Sequence, residues 1–228
     1  MLTCGKYGAG SVKMGYFALK FLYSRVLQKE WEGNRLPSPK VPKKLPVVLS
    51  PCEVKQVIDV ISNLKHKAII MFIYSTGVRI SECINMRVSD IDSKRMQVKV
   101  QEGKGRKQRY THLSKQMLKT LRKYYREYKP QNWLFEGGKG PQSHIGETAI
   151  REILTKARYK TPRIKKHYTP HTFRHCFATH LLECGVNLLV IQRLMGHSDI
   201  GNTIIYLHVQ QYNVDAIINP LDKLLEDQ

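Results

Sequence analysis

Most of the chain carries apolar residues at the three- and four-residue spacing of amphipathic helices, which predicts a mainly helical protein. The clearest case is the segment 65–76, which is strongly apolar and ends at Gly77. The predicted helices cover residues 16–29, 51–62, 65–76, 80–86, 114–128, 145–159, a stretch that begins at Pro170, 187–195 and 221–227.

One segment has a different period. Met96, Val98 and Val100 are separated by polar residues, which is the two-residue alternation of a β-strand. A turn with two glycines follows at 102–105, and residues 107–113 return as a second strand. The predicted fold class is therefore α+β: mostly α, with a small antiparallel β-sheet.

Several element boundaries are marked by residue type. Residues 50–53 (Ser-Pro-Cys-Glu) form a capping box with proline in the first turn, so a helix begins there. Thr169 followed by Pro170 predicts another helix start, and Gly196 predicts the end of a later helix. The segment 132–140 is expected to be a short apolar clip followed by a glycine-rich loop.

A proline-rich segment divides the chain. Residues 33–47 contain four prolines and four lysines or arginines, which predicts an extended basic linker. A linker that follows DNA and an ordinary solvated linker both fit this composition. Residues 1–32 hold one amphipathic helix and too little else to form a domain, whereas residues 48–228 are enough for one packed domain.

Charge narrows the class of partner. The 38 lysines and arginines exceed the 18 acidic residues by 20, and the sequence pI is about 9.8. Such a balance favours a polyanion, with nucleic acid, an anionic membrane surface and RNA in a ribosome-like assembly as candidates. The basic residues are spread along the chain, which favours a folded basic surface over a disordered arm.

The compartment is expected to be the cytoplasm. The cysteine count is odd, and no pair has CxxC spacing, so the thiols are expected to be free in a reducing environment. The longest apolar run, 68–74, is too short to span a bilayer. Lys13, Lys20 and Arg25 interrupt any apolar core of a signal peptide near the N-terminus. The cysteines are Cys4, Cys52, Cys83, Cys176 and Cys184.

A site for an anion is predicted in the segment 169–208. His171 and Arg174 fall on one face in the first turn of a helix, where free N–H groups and the helix dipole favour an anion. His197 directly follows the helix stop at Gly196, and Tyr206 comes nine positions later. These spacings are not required by a simple core.

Two further cationic side chains lie at turns, where the fold can direct them into a cleft. Arg79 lies just past the helix stop at Gly77, and Lys104 lies between two glycines at the tip of the predicted hairpin. Each also fits an ordinary surface side chain when it is considered alone.

The sequence lacks the motifs of a zinc site, a serine nucleophile and a nucleotide-binding loop. His175, Cys176 and His180 are interpreted as packing residues, because the chain has no HExxH and no paired CxxC. A GxSxG nucleophile elbow and a Walker A loop are also absent from the sequence. Arginines and histidines instead suit a phosphodiester and its transition state, and a tyrosine is a possible covalent nucleophile.

In this order the residues resemble the tyrosine recombinases, the phage integrase family, whose catalytic fold is shared with type IB topoisomerases. The resemblance rests on residues 75–82 (STGVRISE), 103–105 (GKG), 171–182 (HTFRHCFATHLL), 194–197 (LMGH) and 203–208 (TIIYLH), and it covers about 45–225. It implies the catalytic set Arg79, Lys104, His171, Arg174, His197 and Tyr206.

The resemblance also implies a role for each residue. Tyr206 is expected to attack the scissile phosphate and form a 3′-phosphotyrosyl link. Arg79, Arg174 and His197 are expected to hold the phosphate. Lys104 is expected to protonate the leaving 5′-oxygen, and His171 to assist proton transfer. The same reaction needs no cofactor, metal or ATP.

Partners and organisation follow from the same resemblance. The expected partner is double-stranded DNA, bound by a tetramer of identical subunits through C-terminal segments such as 210–228. Residues 1–32 resemble only the end of the family's helical core-binding domain, which predicts a truncated clamp. The expected function is integration or transposition of a mobile element, in a protein associated with the bacterial nucleoid when bound to DNA. A non-catalytic, degenerate DNA-binding fragment of an integrase is the alternative.

Overall fold

The computed structural model describes residues 8–31, 38–39, 45–101 and 108–207. Three predicted features lie wholly or mostly outside the described residues: Lys104, the linker 33–47, and the C-terminal segment 210–228 with its helix at 221–227. Contacts between Cα atoms divide the chain into two units, residues 1–44 and residues 45–228.

Among the described residues of the first unit there is one helix. α1 (Ala9–Phe21) continues as a π-helical segment, Leu22–Val26, so the helix begins and ends earlier than the predicted 16–29. None of its residues is buried. The indole of Trp31 donates a hydrogen bond to the Tyr16 hydroxyl at 3.2 Å, and their rings meet edge to face.

The second unit is mainly helical with two small antiparallel sheets. A 3₁₀ turn, Val88–Asp90, lies before the first strand. The elements in chain order are α2 (Pro51–Asp59), α3 (Leu64–Thr76), α4 (Ile80–Ile84), β1 (Ile91–Asp92), β2 (Gln97–Val100), β3 (Arg109–His112), α5 (Lys115–Tyr128), β4 (Glu136–Gly137), β5 (Gly140–His144), α6 (Glu147–Lys160), α7 (Pro170–Glu183), α8 (Leu188–Met195) and α9 (Gly201–Ile204).

The predicted helix boundaries are confirmed where a capping residue marks them. Ser50 caps α2: its Oγ accepts from the Glu53 amide at 3.2 Å, and the Glu53 carboxylate accepts from the Ser50 amide at 2.8 Å. Gly77 and Gly196 end α3 and α8 with φ angles of 65° and 64°. This left-handed region is one that L side chains rarely adopt.

The core is built around α3, which is buried on several sides. Ala68, Ile69, Ile70, Phe72 and Ile73 have no exposed surface, as expected for a helix that is apolar nearly all round. α7 and α5 both pack against α3. This packing fixes the position of α7 relative to α3. It matters for the site because Arg79 follows the end of α3, whereas His171 and Arg174 lie in the first turn of α7.

The predicted hairpin is present. β2 pairs antiparallel with β3, with Val98 opposite Thr111 and Val100 opposite Arg109. β1 adds a third strand, giving the order β1-β2-β3. Thr111 donates from its hydroxyl to the Thr76 carbonyl at 2.8 Å, which ties the sheet to the end of α3.

One prediction of loop structure is wrong. The segment 132–140 contains β4 and the start of β5, which form a two-stranded sheet with a register irregularity. The glycines that suggested a loop lie in and beside the turn between β4 and β5, where Gly140 has a φ of 66°. β4 has only two residues, and the sequence of β5, Gly-Pro-Gln-Ser-His, has no alternation of apolar and polar residues.

A smaller apolar cluster lies beside the main core. This C-terminal cluster consists of Phe177, Ala178, Leu182, Ile191, Met195 and Tyr206. It joins the second half of α7 to α8 and to the segment after α9. Within the described residues, none of the helices has the length and apolar content that a membrane span requires.

Candidate active site

Arg79 stands at the N-cap of α4, two residues after the left-handed turn at Gly77. Its side chain is 30% exposed, so the guanidinium is reachable from solvent. Nη1 of Arg79 donates to Oε1 of Glu82 at 2.8 Å, and its amide donates to Oε2 at 2.7 Å. The carboxylate three residues on therefore fixes both the backbone and the side chain of Arg79.

Glu82, to which no role was assigned from the sequence, is the acidic centre of the site. Arg109 donates to both of its oxygens, at 2.8 and 2.7 Å, and Nη1 of Arg174 lies 3.7 Å from Oε2. Burial by itself raises the pKa of Glu82, but the hydrogen bonds and charge of Arg109, together with those of Arg79, outweigh it and lower the pKa to about 2. One carboxylate thus faces three guanidinium groups, and their positive charge keeps it ionised.

Arg174 lies in the first turn of α7 and is 4% exposed. Its Nη1 donates to the Gly77 carbonyl and its Nη2 to the Met195 carbonyl. Burial and then the charge of Arg79 lower its pKa to about 10, so the guanidinium stays protonated near neutral pH. A buried cation in contact with two chain turns ties the end of α3 to the end of α8.

Three successive carbonyls at the end of α8 each accept a hydrogen bond from a different arginine. The Leu194 carbonyl accepts from Arg109 at 3.0 Å, Met195 from Arg174 at 2.6 Å, and Gly196 from Arg79 at 3.3 Å. The last carbonyls of a helix lack partners within the helix and carry the negative end of its dipole. The three arginines supply hydrogen-bond donors for these carbonyls and positive charge opposite the dipole. They thereby also fix the turn that carries His197.

His197 follows this turn and faces Tyr206. The two rings are nearly parallel, with centroids 6.4 Å apart and planes inclined by 14°. Nδ1 of His197 lies 2.9 Å from the Thr203 hydroxyl. Burial, followed by the charges of Arg174 and Arg79, lowers the pKa of His197 to about 4, so the ring is neutral at pH 7.

Tyr206 is 1% exposed and belongs to the C-terminal cluster. Its hydroxyl lies 3.0 Å from Nδ1 of His175. Burial raises the pKa of Tyr206 to about 12, although Arg174 and Arg79 act in the opposite direction. In this structure the hydroxyl is therefore protonated and enclosed.

The remaining two predicted residues are His171 and Lys104. His171 lies at the surface in the first turn of α7; partial burial of its ring and the charge of Arg174 lower its pKa. Lys104 lies outside the described residues, between β2 and β3. The structure thus brings together Arg79, Arg174, His197 and Tyr206 from four separate parts of the chain.

Sequence reasoning missed three residues of this constellation: Glu82, Arg109 and His175. Arg109 had a detectable signal, because it occupies an inward position of β3, where a charge needs a partner. Glu82 follows Arg79 at the spacing of a capping pair. His175 was interpreted as a packing residue; it is partly buried, and its Nδ1 also lies 3.0 Å from the Tyr206 hydroxyl. His180 makes a similar contact with the Tyr74 hydroxyl and a second one with the Leu49 carbonyl.

The geometry suits an anion with tetrahedral oxygens. The side chain of Arg79 is 30% exposed, and Arg79 and Arg174 bind the carbonyls of Gly196 and Met195, so two guanidinium groups lie beside the turn that carries His197. An entering phosphodiester would raise the pKa of His197, because a negative charge favours the imidazolium. The hydroxyl of Tyr206 is a nucleophile of the right type beside these groups.

The chain matches a known protein family. The model described as the phage integrase family matches residues 48–212. The chain is 40% identical over 220 residues to the putative integrase/recombinase y4qK of Sinorhizobium fredii, an alignment that covers 96% of this chain and 71% of that protein. It is 33% identical over 222 residues to the tyrosine recombinase XerA of Pyrococcus horikoshii, with 96% of this chain and 76% of that protein covered.

Solved structures agree on the fold. The crystal structure of XerA recombinase matches with a TM-score of 0.64 and 29% identity, covering 99% of this chain and 78% of that one. The XerH site-specific recombinase, in a post-cleavage complex with its difH substrate, matches with a TM-score of 0.77. Its identity is 20% with 99% and 68% coverage, so that likeness shows the fold alone.

Proposed function

Because the chain belongs to the phage integrase family, we propose that it cleaves and rejoins DNA at specific sites through a covalent link to Tyr206. It is an enzyme, a site-specific recombinase of the tyrosine type. The observation that carries the assignment of the site is the meeting of Arg79, Arg174 and His197 around the ring of Tyr206. A fragment without cleavage chemistry is not favoured, because it would not need a nucleophile beside three such groups.

The reaction is a transesterification. The phenolic oxygen of Tyr206 forms a bond to phosphorus, and the bond from phosphorus to the 5′-oxygen breaks. The tyrosine proton leaves, and the 5′-oxygen takes up a proton to become a hydroxyl. The 3′-phosphotyrosyl link retains the bond energy, so a 5′-hydroxyl of another strand can reverse the step without nucleotide hydrolysis.

Each remaining group has one role in this proposal. The guanidinium groups of Arg79 and Arg174 bind the non-bridging oxygens and stabilise the charge of the transition state. His197, neutral before DNA binds, donates a hydrogen bond or gains a proton as the phosphate enters. Lys104 supplies the proton to the 5′-oxygen, and His171 assists proton transfer near the helix start.

The buried Tyr206 hydroxyl adds a requirement to the proposal. Tyr206 is 1% exposed and its hydroxyl is bonded to His175, so the phenolic oxygen cannot reach phosphorus in this arrangement. DNA binding must therefore move the segment that carries Tyr206, and the C-terminal cluster is the part of the domain that must yield.

Organisation and partners complete the proposal. Residues 48–228 form the catalytic domain, residues 33–47 the linker, and residues 1–32 a helical part of the core-binding domain. The partner is double-stranded DNA, and the C-terminal segment 210–228 joins subunits into a tetramer on two duplexes. Integration or transposition of a mobile element is the proposed biological role, in the cytoplasm and on the bacterial nucleoid.

Capture of a covalent adduct tests the reaction. The probe is a pool of nicked duplexes with a randomised central sequence, incubated with the full chain in EDTA and then denatured with SDS. We expect an SDS-stable protein–DNA adduct from which the cleaved sequence is recovered. Tyr206→Phe should give no adduct, whereas Tyr159→Phe, which changes a tyrosine that is 82% exposed, should give as much as wild type.

Two outcomes contradict the proposal. Salt-sensitive DNA binding with no adduct would leave a DNA-binding protein without cleavage chemistry. An adduct that persists in Tyr206→Phe would place the nucleophile elsewhere. Relaxation of a supercoiled plasmid, run with the same variants, shows whether the strand is resealed.

A further inference from the structure

We propose that Arg109 is a positioning residue for DNA cleavage, an inference that rests on the proposed function. It lies in β3 and was not among the residues expected from the sequence. It holds Glu82 and the turn at 194–197, and through them it keeps Arg79 and His197 in place.

The first contact is with Glu82. Both terminal nitrogens of Arg109 donate to the two carboxylate oxygens, at 2.8 and 2.7 Å, in the bidentate geometry that suits a guanidinium. The same carboxylate oxygens bind the backbone and the side chain of Arg79. Movement of Glu82 would therefore move Arg79.

The second contact is with the end of α8. Nε of Arg109 donates to the Leu194 carbonyl at 3.0 Å. A Cβ atom at Gly196 would lie 2.8 to 2.9 Å from Cδ, Cζ and Nε of Arg109, so the backbone of the turn rests on the guanidinium. His197 is the next residue, and its position depends on this support.

Exposure separates Arg109 from Arg79. Both bind Glu82, but the side chain of Arg109 is 9% exposed and that of Arg79 is 30% exposed. The Arg109 fork is turned inward, towards protein acceptors. It is therefore placed to act through its neighbours, while Arg79 is placed to meet a phosphate.

Arg109 is also mounted on a fixed part of the fold. Its strand pairs with β2, with Arg109 opposite Val100, and Thr111 bonds to the carbonyl of Thr76 at the end of α3. α3 is the buried central helix and leads to Gly77 and Arg79. Because Arg109 is anchored to the core, it fixes the positions of Glu82 and of the turn at 194–197 relative to α3.

The test uses two variants of the full chain that disturb this contact without removing a phosphate-binding group. Arg109→Lys keeps the charge but loses the fork, and Gly196→Ala pushes the turn away from the guanidinium. Arg122→Lys, on the exposed face of α5, is the matched control. Single-turnover adduct formation is measured at saturating protein on the nicked duplex recovered from the random pool.

We expect both variants to cleave about 100-fold more slowly than wild type, which is the scale of a misplacement of about 1 Å. DNA affinity and its salt dependence should be unchanged, because a lost phosphate contact would lower both. The double variant should be no slower than the slower single variant, since both changes break the same support. Arg122→Lys should match wild type.

Three outcomes would overturn the inference. Cleavage at the wild-type rate by folded Arg109→Lys, checked by circular dichroism, would leave Arg109 a stabilising residue only. Weaker DNA binding with an unchanged cleavage rate would make it a phosphate contact. Multiplicative effects in the double variant would show independent causes. Failure of wild type to form any adduct is a different result, and it would contradict the proposed function itself.

Discussion

The hydroxyl of Tyr206 shares a hydrogen bond of 3.0 Å with Nδ1 of His175, a residue 31 positions away along the chain. Burial, with smaller contributions from His171 and Arg174, lowers the pKa of His175 to about 4, so its ring is neutral and able to accept. The pKa of Tyr206 is raised to about 12. Proton transfer from Tyr206 to His175 is therefore strongly unfavourable. The hydrogen bond keeps Tyr206 protonated and in an inactive position.

His175→Phe should therefore release Tyr206. The variant keeps a ring in the same space but removes the hydrogen-bond partner of Tyr206, and a hydrogen bond of this kind is worth about 1 kcal/mol. We expect adduct formation on the nicked duplex to become about fivefold faster. The measurement is the single-turnover rate, with Tyr206→Phe as the inactive reference. A slower rate would mean that His175 assists the attack, for example by taking the proton.

Glu82→Gln should destabilise the fold. The substitution leaves three guanidinium groups beside one neutral amide, and the removal of one member of a buried ionic cluster costs about 3–5 kcal/mol. Urea unfolding followed by circular dichroism measures the change. Glu147→Gln, which removes an exposed pair with Arg151 at 3.2 Å, should change the free energy of unfolding by less than about 1 kcal/mol. Equal effects of the two variants would refute a structural role for Glu82.

Gly77→Ala should be strongly destabilising. The backbone there has a φ of 65°, and an added Cβ would lie 2.3 Å from Cδ1 of Phe177. Backbone strain and overpacking together cost about 2–4 kcal/mol. Gly138→Ala is the matched control, because no atom lies within 4 Å of a Cβ at that position. A small change at Gly77 would show that Phe177 yields readily, and it would weaken the assignment of this turn as a rigid support for Arg79.

The free energy of unfolding should decrease as the pH is lowered through the mildly acidic range. The pKa values of His175 and His197 are lowered to about 4 in the native protein, whereas an unfolded histidine titrates near pH 6.5. Between these values the unfolded chain binds more protons, so the free energy of unfolding decreases as pH falls. The slope is at most about 1.4 kcal/mol per pH unit for each histidine.

Urea unfolding at pH 7.5 and pH 5.5 measures this decrease. His175→Phe removes one of the two groups, so its stability should fall less than that of wild type over the same interval. An equal or larger fall in the variant would show that His175 is not held neutral by the fold.

Local signals were enough to predict much of this architecture. The capping box at 50–53, the glycines that end α3 and α8, and the strand alternation after Met96 are short-range features, and each appears where the sequence predicts it. The family resemblance then predicted which side chains meet. Arg79, Arg174, His197 and Tyr206 are brought together by α3, α7 and α8, whose ends no local pattern relates to one another.

Features that depend on distant contacts were not predictable in the same way. Arg109 meets Glu82 across 27 positions and Leu194 across 85, and no period in the sequence encodes either separation. His175 differs from an ordinary core histidine only because Tyr206 lies opposite it. β4 and β5 were missed because β4 has only two residues and β5 has no alternation of apolar and polar side chains.

The division of apolar residues into a main core and a C-terminal cluster has a dynamic consequence. α7 contributes Phe173 to the first and Phe177 to the second, whereas α8 and Tyr206 belong to the second alone. Regions with their own small cluster open at a lower free energy than the whole domain. Amide hydrogens of α8 and of the segment around Tyr206 should therefore exchange through a local opening, while those of α3 exchange only on global unfolding. The nucleophile sits on a cooperative unit that opens while the cation scaffold anchored on α3 stays folded.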